Sequence, residues 1–484
     1  MGQQETTEPV AALVERAGNT RGDECAGVLR QAVALLEQAC VHLPAGQGSP
    51  DPVARLKRLG ARPPRTKAGF YASLLSVFSE FGDRHTHCRL PAPFADAVAF
   101  LPFVAREAVE DGERRLVVVA SLVDDLRRGD TLVSWNDVPA SEQVRRQMPL
   151  QHGANGEARR AKAVQTLTTR PLALMPPPLE DDVLLECAGA GGRRREVRLA
   201  WRAARGSHLD LLFKSLPGAF ESLSGDCLRP LAVETSHGTF GCVRVASLRE
   251  PPDAFLASFL RVLESLPQEG LILDLRGCED GVVPTAEQLL QLFTRRKIEP
   301  QPFQFRVTEL VLQLVRNCPA LSEWREAVEA AARDGLSHSG WRPLTSAERA
   351  NGVGRKYGGP VVLVVDALTY SSAEMLAAGF QDHGIGTVLG TARQTGGGGA
   401  SPWNQSTIFK LSEDESFRPS PGAPTFRVAV RRCRRVRGNA GKPVQGVGVT
   451  PDALHLPTRN DLLNGDADLY ERAGKILAEN LSRG

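Results

Sequence analysis

The sequence has few lysines, few aromatic residues and no long apolar run. Only nine of its 59 basic residues are lysine, and aromatic residues make up 6%. The basic residues are balanced by 56 acidic ones, and a net charge of +3 gives no sign of a protein that binds nucleic acids or membrane surfaces through its overall charge. Because no apolar stretch reaches 18 residues, we expect no transmembrane helix.

The sequence also lacks cysteine pairs and the features of a secretory signal. Its nine cysteines are scattered and never form a CxxC pair, which argues against a disulfide framework and against a zinc site. The first residues, MGQQETTEPV, contain neither a basic region nor an apolar one. We therefore expect a cytoplasmic protein with reduced thiols and no membrane partner.

The 484 residues that are present suffice for about three domains with a large core. Apolar spacing predicts a helical N-terminal unit over residues 1–95, short β-like runs predict a β-rich domain over 96–205, and alternating strands and helices predict an α/β core over 206–484. In that core we expect strands at 240–246, 270–275, 361–365 and 387–390, and helices at 253–266, 284–294, 308–334, 372–383 and within 460–481.

A serine pair lies where a predicted strand meets a predicted helix. In VVLVVDALTYSSAEMLAAGF, residues 361–380, an apolar run ends in a short turn that contains Ser371 and Ser372. A serine in such a turn presents its hydroxyl at the edge of the sheet, beside the free amides of the following helix, and this suits a nucleophile. The alternative interpretation is that either serine only caps the helix.

A nucleophilic serine needs a base, and the segment FGDRHTHCRLP, residues 81–91, offers His85 and His87 beside Asp83. An HxH pair also suggests a metal, but no third ligand follows at the spacing of a metal site. We therefore expect no metal here. Spacing alone does not pair either histidine with a serine almost 300 residues later.

Four segments together resemble the C-terminal processing peptidase and tricorn protease family of serine peptidases. They are FGDRHTHCRLP (81–91), GLILDLRGCEDG (270–281), DALTYSSAEMLAAGFQDHGIGTVLGT (366–391) and QGVGVTPD (445–452), and they occur in the order found in the family. The resemblance implies an α/β fold with a crotonase-like peptidase core, a helical N-terminal unit and an inserted β-rich PDZ-like domain. It implies no metal and no organic cofactor.

The same resemblance assigns roles to individual residues. Ser371, three residues before an acidic residue, corresponds to the nucleophile, and His85 corresponds to the tricorn-type general base. Gln445 stands where the tricorn branch has an acidic residue, and we expect it to orient His85. The backbone amides of Ser372 and Gly281 are the expected oxyanion donors.

The sequence departs from the family at three of these places. Gly396 stands where the processing peptidases have a catalytic lysine, so a Ser–Lys dyad is not expected. Gln445 supplies an amide in place of a carboxylate, which would lower activity unless another acid such as Asp83 replaces it. The glycine loop reads GCEDG over 277–281, and an oxyanion hole is still expected to be possible there because Asp280 can reach the left-handed conformation more readily than most residues.

The segment LRRGDTLVSWNDVPASEQV, residues 126–144, resembles the PDZ signature. PDZ domains bind a peptide's carboxyl end as an added strand, and the alternative is a spacer of the same fold that binds nothing. The GGGG run at 396–399 lacks a phosphate-binding context, so we expect a flexible wall of the cleft. The basic run at 428–437 alternates charged and apolar positions and is expected to be a solvated strand, not a nucleic-acid site.

The sequence thus predicts a serine-type peptidase that acts on protein or peptide substrates, with a substrate's carboxyl end as a candidate recognition element. One alternative is a catalytically impaired relative that binds peptide ends as an adaptor. A second alternative, acyl-CoA chemistry, rests on fold analogy alone. The sequence leaves the oligomeric state open.

Overall fold

The computed structural model describes residues 7–43, 51–189, 191–213 and 227–482. Within these ranges the chain is a mixed α/β fold with four β-sheets. The first six residues, which belong to the predicted N-terminal unit, lie outside the described residues.

The N-terminal part contains helices and two short strands. Its elements are β1 (Glu8–Pro9), α1 (Val10–Arg16), α2 (Gly22–Ala39), α3 (Pro52–Ala61), α4 (Lys67–Ser79) and β2 (His87–Arg89). The helices follow the apolar spacing of the sequence, and α2 buries seven residues along one face. Both strands instead pair with distant segments, β1 with residues 202–203 and β2 with residues 425–427. These long-range pairings are invisible in the local sequence pattern.

The middle of the chain is mainly β-structure. Its strands are β3 (Ala97–Phe100), β4 (Phe103–Glu110), β5 (Glu113–Ser121), β6 (Thr131–Trp135), β7 (Val138–Pro139), β8 (Thr169–Pro171), β9 (Asp182–Ala188), β10 (Arg194–Ala200) and β11 (Arg202–Arg205), and its helices are α5 (Ala140–Gln147), α6 (Gly156–Gln165) and α7 (Gly206–Phe213). One sheet has the order β10-β9-β6-β5-β4, and another has the order β1-β11-β3-β8. We call residues 97–205 the middle region.

The C-terminal half alternates strands and helices. Its strands are β12 (Leu228–Thr235), β13 (Gly238–Val245), β14 (Leu271–Asp274), β15 (Pro302–Phe305), β16 (Arg342–Pro343), β17 (Val361–Val365), β18 (Thr387–Gly390), β19 (Ala400–Asn404), β20 (Thr425–Cys433) and β21 (Ala453–Leu454). Its helices are α8 (Pro252–Glu264), α9 (Val283–Phe293), α10 (Glu309–Asn317), α11 (Arg325–Arg333), α12 (Ala347–Ala350), α13 (Ser372–Asp382), α14 (Gln405–Ser412), α15 (Arg459–Leu463) and α16 (Ala467–Leu481).

A six-stranded sheet of order β12-β13-β14-β17-β18-β21 forms the centre of this half. Within this sheet, the five strands β13, β14, β17, β18 and β21 run parallel to one another. All four residues of β14 and all five residues of β17 are buried. Strands that are buried on both faces need cover on each side of the sheet. Helices α8, α9 and α13 cover one face, and α16 covers the other.

The fourth sheet has the order β16-β15-β20-β19, and β2 also pairs with β20. The prediction that the basic run is a solvated face was wrong for two of its arginines. The guanidinium of Arg431 packs among Phe305, Trp324 and Trp403, and burial lowers the pKa of Arg431 to about 10. Arg435 is buried in an ion pair with Asp382. These aromatic partners come from distant segments of the chain.

The single helix predicted over 308–334 is two helices. Helix α10 ends at Asn317, a 3-10 turn spans Pro319–Trp324, and α11 follows. Pro319 has no N–H group to continue the helical hydrogen-bond pattern, so the chain breaks there.

We find no helix in the described ranges that has both the length and the apolar composition to cross a bilayer.

Candidate active site

The site lies at the carboxyl ends of the adjacent parallel strands β14 and β17, where open α/β sheets commonly bind ligands. Two loops leave the sheet there, and Asp366 joins them. Its buried carboxylate accepts hydrogen bonds from the Gly277 amide at 3.1 Å and from the Thr369 amide at 2.7 Å. The Tyr370 amide in turn donates to the Cys278 carbonyl at 3.0 Å. The loop that carries the serine is therefore fixed to the glycine loop.

Ser371 stands at the N-cap position of α13 in an unusual backbone conformation. Its φ is 61° and its ψ is −128°, a region that residues other than glycine rarely adopt. Such strain concentrates at functional sites. The capping interpretation is wrong for this residue because the Ser371 side chain makes no capping hydrogen bond.

The Ser371 hydroxyl instead faces His85. The distance from Ser371 Oγ to His85 Nε2 is 3.0 Å, and the two side chains are 8% and 3% exposed. With the imidazole proton on Nδ1, the hydroxyl donates to Nε2. Burial lowers the pKa of His85 to about 3 against the opposing charge of Asp83, and the guanidinium groups of Arg427 and Arg84 lower it further. The histidine is therefore neutral near pH 7 and able to accept a proton.

Asp83 lies behind the imidazole. Its Oδ1 is 3.7 Å from His85 Nδ1 and accepts hydrogen bonds from the Tyr370 hydroxyl at 2.8 Å and the His85 amide at 2.9 Å. The other oxygen accepts from Thr86 Oγ1 at 2.8 Å. Burial works to raise the pKa of Asp83, but His85, His42 and the hydrogen bonds hold it below its usual value. The carboxylate is thus kept charged in a buried position.

The expected contact between Gln445 and His85 is absent among the hydrogen bonds of the described residues. Both Gln445 Oε1 and His85 Nδ1 are buried and lack a hydrogen-bond partner there. The Gln445 backbone packs against Gly399. The carboxylate oxygen that the structure places near Nδ1 is Asp83 Oδ1, at 3.7 Å.

The glycine loop differs from expectation in its backbone. Gly277 has a φ of 70° and Gly281 a φ of 151°, whereas Asp280 does not adopt a positive φ. A Cβ at Gly281 would collide with Leu248, whose carbonyl accepts a hydrogen bond from the Val282 amide. Only glycine therefore fits the position of one expected oxyanion donor. The other expected donor, Ser372, is the first residue of α13, where amides have no partner within the helix.

The acidic side chains of this loop are neutralised. Glu279 pairs with Arg84 and, at 2.6 Å, with Lys162 of α6. Although burial opposes ionisation, these two cations lower the pKa of Glu279 to about 2. Asp280 pairs with Arg249. Since both charges are compensated, neither opposes a developing oxyanion as an isolated carboxylate would.

The GGGG run is not a flexible wall, because all four glycines are buried around Glu374 and Tyr370. Glu374 accepts hydrogen bonds from Thr395 Oγ1 and from the amides of Gly397 and Gly398. Burial raises the pKa of Glu374 to about 7 against these bonds.

The space beside Gly396 is filled by an aromatic ring. A Cβ at this position would lie 2.5 Å from Cδ2 of Tyr370. The tyrosine ring therefore lies where the side chain of a residue 396 would begin, which gives a steric reason for the missing lysine.

The described side chains offer no cluster of metal-binding residues. Nowhere in the described ranges do three or more His, Cys, Asp or Glu residues form a group that could hold a metal ion. His87 instead bonds through Nδ1 to the Arg84 carbonyl at 2.9 Å.

Comparison of the sequence with known proteins relates most of the site to a peptidase family. Residues 239–454 match the sequence model of peptidase family S41, and Ser371, Gly281 and Gln445 all lie inside the match. The chain carries an S41 peptidase domain. The resemblance inferred from the four motifs is thereby confirmed, and the protein is a serine-type peptidase. His85 lies outside the matched residues.

Solved structures similar to this chain extend beyond the S41 domain. Mature CPAF is 17% identical with a TM-score of 0.69, and the match covers 95% of this chain and 98% of that one. CPAF complexed with lactacystin gives the same identity and TM-score over 95% and 99%. A photosystem II D1 C-terminal processing protease is 14% identical over 95% and 98%, with a TM-score of 0.42. The likeness to CPAF shows a shared fold along almost the whole chain.

Sequence reasoning missed three groups around the S41 site. Tyr370 bonds to Asp83, the guanidinium of Arg84 lies 4.9 Å from the centre of the Tyr370 ring, and Lys162 reaches Glu279 from the middle region. The position of Tyr370, directly before Ser371, was the one available signal. Arg84 and Lys162 gain their roles only through folding.

Proposed function

We propose that this S41 serine peptidase hydrolyses peptide bonds through Ser371 and His85. In the first step Ser371 Oγ attacks the carbonyl carbon while its proton passes to His85 Nε2. His85 then gives that proton to the leaving amine as the C–N bond breaks. Water then attacks the acyl ester formed on Ser371 while one of its protons passes to His85 Nε2. His85 returns that proton to Ser371 Oγ as the ester C–O bond breaks and the carboxylic acid leaves. The observation that carries the proposal is the 3.0 Å contact of a strained serine with a neutral, buried histidine.

We assign the role of the third group to Asp83. An imidazolium ion forms at His85 during the reaction, and a carboxylate near Nδ1 stabilises it. At 3.7 Å the contact is longer than a hydrogen bond in the free enzyme, and such contacts often shorten when substrate binds. Gln445 remains a candidate for orienting the ring through its unpaired Oε1.

The amides of Ser372 and Gly281 are the proposed oxyanion donors. The support is the free helix N-terminus at Ser372, the requirement for glycine at position 281 and the hydrogen bond that joins Tyr370 to the glycine loop. Backbone donors held in this way need no reorganisation when charge develops on the carbonyl oxygen.

The wider organisation is proposed from the arrangement of the sheets. The parallel sheet with helices on both faces supports a crotonase-like core over 206–484, and the six-stranded sheet with α5 and α6 supports a PDZ-like domain over 96–205. On edge strand β4 of that domain, the Val109 amide already donates a hydrogen bond to the Pro457 carbonyl at 2.7 Å. An added peptide strand there would compete with the chain itself. A cytoplasmic location is proposed on the absence of disulfides among the described cysteines.

Labelling with a fluorophosphonate tests the nucleophile. Intact mass should show one adduct on the wild type, none on Ser371→Ala and a slower reaction with His85→Ala. Ser372→Ala is the matched control, because it removes the neighbouring hydroxyl and keeps the backbone amide, and it should label as the wild type does. An adduct on Ser371→Ala would overturn the assignment.

The unpaired Nδ1 of His85 favours one alternative, a peptide-binding protein with little turnover. In that case a folded wild type would bind peptides without labelling or cleaving. Rapid labelling of Ser371 together with peptide cleavage would exclude it.

A further inference from the structure

An arginine whose side chain has no hydrogen-bond or ion-pair partner within the described ranges lies near the proposed catalytic residues. Arg427, on β20, lies directly opposite His87 of β2 and opposite Asn404 of β19 in the strand pairing. Directly opposed residues share one face of a sheet, so the Arg427 side chain projects on the side of His87, two residues from His85. The same strand holds the histidine loop, because the Ala429 amide donates to Thr86 Oγ1 at 3.1 Å.

The charge of Arg427 interacts with charges in both loops of the site. The negative charges of Asp280, in the glycine loop, and Asp83, behind the histidine, both act on Arg427. In the other direction, Arg427 contributes to lowering the pKa values of His85 and His87. These mutual effects place its charge within short electrostatic range of the proposed reacting groups.

Arg427 differs from its cationic neighbours in having no ion-pair partner among the residues that the structure describes. Arg84 and Lys162 pair with Glu279, and Arg249 pairs with Asp280. The Arg427 guanidinium makes no hydrogen bond and no ion pair with any residue in the ranges that the structure describes. It is half-buried, and burial lowers its pKa. A charge partly removed from water without a partner is unfavourable, and an anion supplied from outside would relieve that cost.

We propose that Arg427 binds a carboxylate group of the substrate close to the scissile bond and thereby selects the peptides that this enzyme cleaves. The inference rests on the proposed function. A guanidinium matches a carboxylate in a two-bond, planar geometry, which gives it an advantage over an ammonium group. The carboxylate can come from an acidic side chain or from the carboxyl end of the substrate.

Matched fluorogenic peptides distinguish these two sources. Each pair differs at one position, with Glu in one peptide and Gln in the other, and each is made with a free carboxyl end and with an amidated end. At one position, or at the terminus, wild-type enzyme should show kcat/KM at least about 10-fold higher for the carboxylate than for the amide, as expected for a hydrogen bond to a charged group. Equal rates within every pair would overturn the inference.

Three variants connect the preference to this residue. Arg427→Gln should bring the carboxylate and amide rates together, and Arg427→Lys should retain part of the preference. Arg427→Glu should instead favour a Lys peptide at the same position. Arg333→Gln removes the same charge from the exposed surface of α11 and should keep the wild-type preference.

Fluorophosphonate labelling of every variant separates the possible failures. A variant that labels at Ser371 as the wild type does has an intact site, so an unchanged preference in labelled Arg427→Gln would overturn the inference alone. A wild type that neither labels nor cleaves any peptide would overturn the proposed function and this inference with it.

Discussion

The Tyr370 hydroxyl donates a 2.8 Å hydrogen bond to Asp83 Oδ1, the same oxygen that lies 3.7 Å from His85 Nδ1. The residue directly before the proposed nucleophile therefore holds the carboxylate behind the proposed base. This relationship joins the two segments of the site a second time, in addition to the contact between Ser371 and His85.

Tyr370→Phe should lower kcat/KM about 10-fold, because Asp83 loses a hydrogen bond that stabilises its charge. The loss also raises the pKa of Asp83, so the acid limb of the pH–rate profile should move to higher pH. A purely structural role would lower activity without moving that limb. Tyr357→Phe is the control, since that buried tyrosine donates instead to the Gln268 carbonyl.

Asp83→Asn should lower kcat by up to about 10⁴-fold, the loss found when the acid of a catalytic triad is changed to its amide. Gln445→Ala should have a much smaller effect, because Gln445 makes no hydrogen bond to His85 within the described structure. Steady-state kinetics on both variants provide the measurement. A severe loss in Gln445→Ala with a mild one in Asp83→Asn would reverse our assignment of the third group.

Gly398→Ala should destabilise the fold by about 1–3 kcal/mol, since its methyl group would collide with the Tyr370 ring in a packed interior. Displacing that ring should also lower activity. Gly438→Ala adds a methyl group where no atom lies within 4 Å, and both properties should stay at wild-type level. Urea unfolding and kinetics on the two variants test this, and equal behaviour would contradict the packing argument.

His152→Gln should change how stability depends on pH. Burial, helped by the nearby His87 and Arg84, lowers the pKa of His152 to about 3 from its ordinary 6.5. Between these pH values the unfolded chain binds a proton at residue 152 that the folded chain does not. The free energy of unfolding of the wild type is therefore undiminished by His152 above pH 6.5, and it decreases as the pH falls from 6.5 towards 3.

The variant avoids this loss, so its free energy of unfolding should gain on that of the wild type by about 1.4 kcal/mol per pH unit below 6.5. Urea unfolding at pH 7, 6 and 5 measures the difference. His237→Gln is the control, because His237 is exposed and its side chain stays in water when the chain folds. Parallel profiles for wild type and His152→Gln would contradict the prediction.

The sequence predicted the parts of the site that belong to local motifs. Ser371 and His85 each stand in a recognisable segment, and strands β17 and β18 begin and end where the apolar runs do. Pro319 also marks the end of a helix, although the spacing across it suggested continuity.

The remainder depends on contacts between distant residues. The local sequence does not predict that β2 pairs with β20. Without that pairing, Arg427 cannot be placed opposite His87. The motif order pointed to Gln445 as the group that orients His85, whereas the 3.7 Å approach of Asp83 Oδ1 to His85 Nδ1 depends on how the histidine loop folds.

The separation of Ser371 from His85 along the chain has a consequence for synthesis. The S41 match begins at residue 239, so a fragment limited to it contains the serine and lacks the histidine. During translation the histidine segment is synthesised first. It can reach the serine only after the serine segment and β20, with which β2 pairs, have also been synthesised. A nascent or truncated chain would hold only half of the reacting pair, and proteolytic competence would appear only once the two ends of the molecule have assembled.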